Sequence, residues 1–287
     1  MNKGFSKIKE VVSDPQTLMF EMRRNKKDLV FWIAGIMLVL LTFTFLSSRD
    51  YSFLLVLSST TQMLSFLIVI IKVYSHQNIS GLSQNTFISY LIVLASRLSS
   101  TMLYPGYLPS DKAGDWFYQT TEVISLVSSI CLVYMIRNTY RDTANIHEDS
   151  IDFSYLAVPT LGLALLVHTS LNRNFVTDVL WTFSMYLESV AILPQIFLFF
   201  KKKGQIESYT SHYVALQGLS RLFSLIFWYD TYDELNSSFD DSYSMFHSYC
   251  GYFIVISQVI QLIIMLDYYY HYIKALLKNE TINMNSI

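Results

Sequence analysis

Six ionisable side chains fall inside stretches that are otherwise apolar: Arg97, Glu122, Asp178, Glu188, Arg221 and Asp267. A charge within a bilayer is costly unless it faces a cavity or a partner, so each marks a candidate working position. Arg97 and Arg221 sit near mid-depth of helices predicted to run one way. Glu188 sits at similar depth in a helix running the other way. Arginine presents a planar fork that matches a carboxylate through two parallel bonds. The chemistry on offer is recognition of an anion, such as the free C-terminus of a peptide, in a polar cavity. Asp178 and Trp181, three apart on one helical face, stand at the mouth of that cavity, and Trp228 lies at the same end of the Arg221 helix. Arg221 and Glu188 either serve this cavity or form an ion pair that holds two helices together. For Arg97 the one acidic neighbour at its depth is Glu122, and the ligand role is the preferred one.

Other chemistry is sparse. Pro194 within an apolar run removes a helix hydrogen bond and frees a carbonyl, which lines a cavity, bends a gate, or leaves a static kink. His168 and His247 flank the loops at the cavity end. His168 is read either as a titrating switch or as an interfacial polar group. Cys131 and Cys250 make neither a metal spacing nor a disulfide framework and read as packing residues. With no nucleophile–base set, metal-ligand spacing or phosphate loop, neither enzyme activity nor a cofactor is expected. The net charge of −2 gives no signal for nucleic acid.

The elements that must position these residues follow from composition. Of 287 residues, 52% are hydrophobic and 15% charged, and the mean hydropathy is +0.35. Soluble domains carry about a quarter charged residues, so the class is membrane. A span needs ~20 mostly apolar residues. Candidates fall near 29–47, 52–74, 86–104, 117–136, 154–169, 175–200, 211–229 and 248–272, the fifth short and the sixth long. The apolar run at 29–47 is too long for a signal peptide and reads as a retained helix. Fifteen of the twenty Lys and Arg then collect on one side, seven of them within the first 28 residues. That asymmetry predicts cytosolic termini. Asn236-Ser237-Ser238, in an acidic loop on the opposite side, is a glycosylation acceptor that is either used or silent. Gly81-Leu82-Ser83 before the Arg97 helix and Tyr209-Thr210-Ser211 before the Arg221 helix form a weak repeat of hydroxyl-rich caps.

The run from Leu180 to Gln195, LWTFSMYLESVAILPQ, followed by Thr210-Ser211-His212-Tyr213, Gly218 and Arg221, resembles the hallmark stretch of the KDEL receptors. Weaker similarity covers Lys72, Gly81-Leu82-Ser83 and Arg97-Leu98, then Asp267-Tyr268-Tyr269 to Lys278. The resemblance thus spans about residues 52 to 279. It implies an all-α integral membrane fold of seven helices related to SWEET and PQ-loop proteins, built from two three-helix repeats. The helix at 29–47 makes eight. Residues 1–28 are then a cytosolic basic segment, 52–272 the receptor-like domain and 273–287 a cytosolic tail.

The resemblance further implies a sorting receptor that binds C-terminal signals of lumenal proteins in the Golgi and returns them to the endoplasmic reticulum. Retrograde coat proteins and the lipid bilayer are its expected partners. Arg97 matches the arginine that holds the ligand carboxylate, and Trp181 and Trp228 match cavity tryptophans. Asp178 replaces a ligand-facing glutamate. Glu188 and Arg221 match the charged core, and Asp267 matches an aspartate needed for transport. Departures accompany these matches. Leu55 and Thr231 stand where ligand arginines are expected, Gln62 where a pH-sensing histidine is, and Ser220 where a core tyrosine is. In the tail, Glu280 and Thr281 replace a basic pair after Lys278. Two missing charge-assisted bonds, at ~1.5–3 kcal/mol each, predict affinity for an acidic tetrapeptide lower by about a hundredfold or more, and hence a non-standard ligand. The rival readings are a PQ-loop or SWEET-like small-molecule transporter and a scaffold that keeps the fold without binding.

Overall fold

A computed structural model of the chain describes residues 52–109, 112–202, 205–236, 249–278 and 282–283, together with Met37. Eight α-helices make up most of it. They are α1 Ser52–His76, α2 Gln84–Thr101, α3 Lys112–Tyr134, α4 Ser154–Leu166, α5 Phe175–Val190, α6 Leu193–Lys202, α7 Ser208–Asn236 and α8 Cys250–Lys278. A π-helical turn, Met135–Thr139, prolongs α3. The sole strand pairing among the described residues is two residues long: β1 Gln205–Ile206 runs antiparallel to β2 Ile282–Asn283. The protein is an all-helical integral membrane protein. Among the described residues, four segments are long and apolar enough to cross a bilayer: Ser52–His76, Gly114–Thr139, Phe175–Lys201 and Cys250–Leu276.

The sequence-derived spans from residue 52 onward each coincide with a helix or helix pair, while the span at 29–47 lies outside the described residues. α2 and α7 fall short of the apolar criterion because their inner faces are polar. Ser89, Arg97, Ser100 and Thr101 are buried on α2, and His212, Gln217, Ser220, Arg221 and Ser224 on α7. These helices pack inside the bundle, α7 against α1 and α8, α2 against α3 and α5. Polar groups in a bilayer are tolerated where protein surrounds them.

Local rules explain the ends. Gly81 has φ +84°, a left-handed conformation that a Cβ disfavours. It turns the chain into Ser83, whose Oγ accepts from Thr86 N at 3.1 Å as the N-cap of α2. The matching cap predicted at Tyr209-Thr210-Ser211 is displaced. α7 begins at Ser208, so these residues occupy its first turn, and Thr210 Oγ1 instead accepts from the buried Lys72 Nζ at 3.1 Å. Asn174 caps α5 through Val176 N and Thr177 N.

Pro194 does more than kink a span. It divides the long sixth span into α5 and α6, with Ala191 and Ile192 between them. A proline here cannot donate to Val190 O, so the ladder stops. Small and polar residues bring α1 and α7 close. Ser58 Oγ donates to Ser220 O at 2.9 Å, and Ser220 Oγ donates to Ser58 O at 2.8 Å. Gly218 serves the α7–α8 contact, since a Cβ there would collide with the Tyr269 ring.

Candidate functional site

α2 and α7 each carry a buried arginine to the bundle centre, and α5 supplies the carboxylate between them. Arg97 Nη1 and Nη2 donate to Glu188 Oε2 and Oε1, both at 2.8 Å. Arg97 Nε donates to Glu122 Oε2 at 3.0 Å, so every nitrogen of its fork meets a carboxylate. Arg221 Nη1 pairs with Glu188 Oε2 at 2.5 Å. The single acidic neighbour expected for Arg97 is therefore corrected to two, because α5 crosses at the depth of both arginines. Two guanidiniums face two carboxylates, and the cluster is neutral. Arg97 is 4% exposed, and Arg221, Glu122 and Glu188 are 1% or less.

Gln62 completes the cluster from α1. Its Nε2 donates to Glu188 Oε1 at 2.9 Å and its Oε1 accepts from Arg221 Nη2 at 3.1 Å. A neutral amide can meet an anion with one end and a cation with the other, which suits this position. Ser59 Oγ donates to Glu122 Oε1 at 3.1 Å, and Ser220 Oγ accepts from Arg221 Nη2 at 2.9 Å. Beside the cluster the free space is about 10 Å³, lined also by Leu55, Trp181 and Trp228. That is room for about one water.

The mouth is built differently. Trp181 and Trp228 meet edge to face at 5.3 Å. Asp178 is 1% exposed rather than open. It accepts from Tyr107 Oη at 2.5 Å and from the backbone N–H groups of Asn172 and Asn174, both at 3.2 Å. Tyr107 also stacks on Trp181, with centroids 4.0 Å apart and planes 7° from parallel. Burial, followed by the Asp178 carboxylate, raises the Tyr107 phenol well above its usual range. Tyr107 thus covers both predicted mouth residues. The sequence offers only Pro105-Gly106 before it as a sign that a turn fixes an aromatic there.

The remaining predicted residues lie apart from the cluster. His168 is buried at the end of α4, its ring edge-on to Phe175 at 5.2 Å. Asp267, counted by sequence among the buried charges, is instead 53% exposed, with His271 Nε2 at 3.9 Å on the next turn. Its position on α8 points outward while Met265 and Tyr268 take the packed face. Cys250 is buried, whereas Cys131 is exposed and does not pack. Asn236 Oδ1 accepts from Gly251 N at 2.8 Å, joining the ends of α7 and α8. Ser237, Ser238, His247, Glu280 and Thr281 lie outside the described residues. Among the described residues no group of three His, Cys, Asp or Glu is arranged to hold a metal.

A second polar centre was missed by sequence. Lys72, 1% exposed, pairs with Glu207 Oε2 at 3.0 Å and donates to Ser80 O at 3.0 Å. Nearby, Gln195 spans the α6–α2 contact, accepting from Ser83 N at 2.9 Å and donating to Gly81 O at 2.8 Å. Asp149 accepts from Ser83 Oγ and Asn85 N, each at 2.9 Å, and burial nonetheless raises its carboxyl above the ordinary range.

Comparison with known proteins matches residues 78–231 to the family described as ER lumen protein retaining receptor. The chain is 32% identical to ER lumen protein-retaining receptor 3 of Mus musculus over 230 residues, 80% of this chain and 96% of that protein. It is 30% identical to receptor 3 of Xenopus tropicalis and 29% identical to receptor 2 of Homo sapiens. Each of these covers 226 residues, 78% of this chain and 94% of the relative.

Proposed function

The chain belongs to the ER lumen protein-retaining receptor family, and from that premise we propose that it is a sorting receptor for C-terminal retention signals of lumenal proteins, working between the Golgi and the endoplasmic reticulum. As a member of a receptor family it is not an enzyme. The observation that carries the reading is the Arg97 fork, held on carboxylates in a buried core beneath two tryptophans. An arginine already paired with Glu188 and Glu122 accepts a peptide carboxylate by exchange, not by filling an empty slot. With space for about one water beside it, the cavity must open for the exchange to occur.

In this reading Arg97 and Arg221 take the ligand carboxylate, while Asp178, Trp181 and Trp228 line the path to it. Glu188 is the group displaced, and the Pro194 break permits the bending that opens the path. His168 is the remaining titratable candidate for a switch, and Asp267, facing outward, is available to transport partners such as coat proteins. Leu55 in the inner lining and the neutral Gln62 favour a signal other than the usual acidic tetrapeptide. Eight spans are proposed: the one at 29–47 added ahead of seven in two three-helix repeats across 52–272. Residues 1–28 and the tail 273–287 then face the cytosol, and Asn236 lies on the lumenal side as a glycosylation acceptor.

The test is an array of free C-terminal peptides against the purified full chain at pH ~5.5 and ~7.4. A subset should bind, and Arg97→Ala should abolish that binding. If no free-carboxylate peptide binds, or if Arg97→Ala leaves binding unchanged, the receptor reading is abandoned. A second reading, small-molecule transport, draws on the α5–α6 break, since discontinuous helices form the sites of many transporters. Uptake of sugars or amino acids into vesicles holding the protein would favour it.

A further inference from the structure

A row of buried polar atoms on α2 and α7 meets no hydrogen-bond partner among the described residues. They are Thr86 Oγ1 and Tyr90 Oη on α2, and Tyr213 Oη, Gln217 Oε1 and Arg221 Nε on α7. Thr86, Tyr90, Tyr213 and Gln217 are 0% exposed, and Arg221 is 1% exposed. Their spacing is regular: Tyr213, Gln217 and Arg221 follow at steps of four, as do Thr86 and Tyr90. Residues four apart stack along one helix face. Phe66 of α1 joins the two stripes, its ring centroid 5.4 Å from that of Tyr90 and 6.3 Å from that of Tyr213. The unmet atoms form a seam.

The seam has two definite ends. Through Arg221 it begins at the charge cluster, where Nη1 and Nη2 are engaged and Nε is not. At the other end Thr86 N donates to Ser83 Oγ, which donates in turn to the half-buried Asp149. That end is the cytosolic one in the topology proposed above.

A buried polar atom left unmet is costly, so the seam calls for a guest. Arg221 Nε only donates, Gln217 Oε1 only accepts, and the hydroxyls do both, so the guest must donate and accept. Charge narrows the choice. Two guanidiniums and two carboxylates already balance in the cluster, and an added ion would bring an uncompensated charge into the bilayer interior. Water is neutral and meets both demands. Buried waters typically make about three hydrogen bonds to groups of this kind.

We propose that a file of internal water runs along the α2–α7 seam and connects the Arg97–Glu188–Arg221 cluster with the cytosolic end of the bundle. Tyr213 and Arg221 are roughly 12 Å apart along the helix axis, a span that about three waters bridge at ~2.8 Å per step. The cluster is then wetted from the side opposite the mouth, where Tyr107 stacks on Trp181. This route does not depend on what the lumenal cavity binds.

The experiment is radiolytic hydroxyl-radical labelling of the purified full chain in detergent, read by mass spectrometry. Radicals formed on bound water oxidise the side chains beside it, so a buried tyrosine reports whether its surroundings are wet. Tyr268 is the dry reference, being 0% exposed with its Oη already donating to Ser211 O at 2.6 Å. Tyr90 and Tyr213 should oxidise at least about tenfold faster than Tyr268, as bound water at their hydroxyls requires. Gln217→Leu keeps the bulk, removes the acceptor, and should bring Tyr213 down toward the Tyr268 rate. Rates at Tyr90 and Tyr213 no faster than that of Tyr268 overturn the proposal, as does fast labelling of Tyr213 that Gln217→Leu leaves unchanged. Should Gln217→Leu fail to fold, melting of Tyr90→Phe decides. In a dry seam that change deletes an unmet hydroxyl and raises the melting temperature, whereas in a wet one it strands a water and does not. A raised melting temperature overturns the proposal.

Discussion

Glu188 grips Arg97 with both carboxylate oxygens at 2.8 Å, and the same Oε2 also meets Arg221. One carboxylate on α5 thereby joins α2 to α7. Breaking a buried pair from one side leaves a charge uncompensated and costs about 3–5 kcal/mol. Glu188→Gln should therefore destabilise the protein by that order, read as a lowered melting temperature in detergent. Arg97→Ala should cost stability too, since it strands Glu122. A melting curve unchanged by Glu188→Gln would mean that the cluster does not hold the helices together.

Gln62 predicts a shallow pH response. Its amide joins Glu188 to Arg221 without titrating between pH ~5 and ~8, where a histidine would. Peptide affinity should change little between pH ~5.5 and ~7.4, and Gln62→His should steepen it. A steep loss of binding in the unaltered protein would contradict this unless His168→Ala removed the effect.

The position of these residues along the chain was largely legible. The apolar runs predicted each described helix because a bilayer demands length and apolarity, both written locally. Two of the charge pairs, Arg221 with Glu188 and Arg97 with Glu122, were legible from depth, whereas Arg97 with Glu188 was not. Depth along a helix indicates what lies level, and only the packing of α5 against α2 brings Glu188 to Arg97. Asp267 was misjudged for the same reason, since it lies in an apolar run but on the outward face. The Pro194 break left a clear signal, whereas Tyr107 left almost none. A loop aromatic reaches Trp181 through backbone geometry that periodicity does not carry.

Tyr107 makes two contacts that mutation can separate. Tyr107→Phe keeps the stack on Trp181 but removes the bond to Asp178, at a cost of about 1.5–3 kcal/mol. Tyr107→Ala loses both and uncovers Trp181. Tryptophan fluorescence quenching should therefore rise for the Ala variant and stay near its normal level for Phe. Equal quenching in the two variants would deny the covering role.

Asp149 tests the opposite end of α2. Its carboxyl lies above the ordinary range, so the folded protein binds that proton more tightly than the unfolded chain does. Lowering the pH through the carboxylate range should favour this corner, and raising it should withdraw that contribution. Asp149→Asn should accordingly be tolerated, while Asp149→Ala, which leaves Asn85 N without its acceptor, should cost about 1 kcal/mol. Hydrogen exchange at Asn85 reports the difference.

The division at Ala191–Ile192 has a mechanical consequence. α5 clasps α2 at Arg97 through Glu188, and α6 clasps it at Gly81 and Ser83 through Gln195. The two grips are roughly 21 Å apart along the α2 axis, given 1.5 Å per residue from Ser83 to Arg97. A joint whose two arms hold the same rod cannot flex while both hands stay closed. Admitting a carboxylate at Arg97 would loosen one hand and leave the other as a pivot, so that the α5 arm could swing while the α6 arm stays fixed.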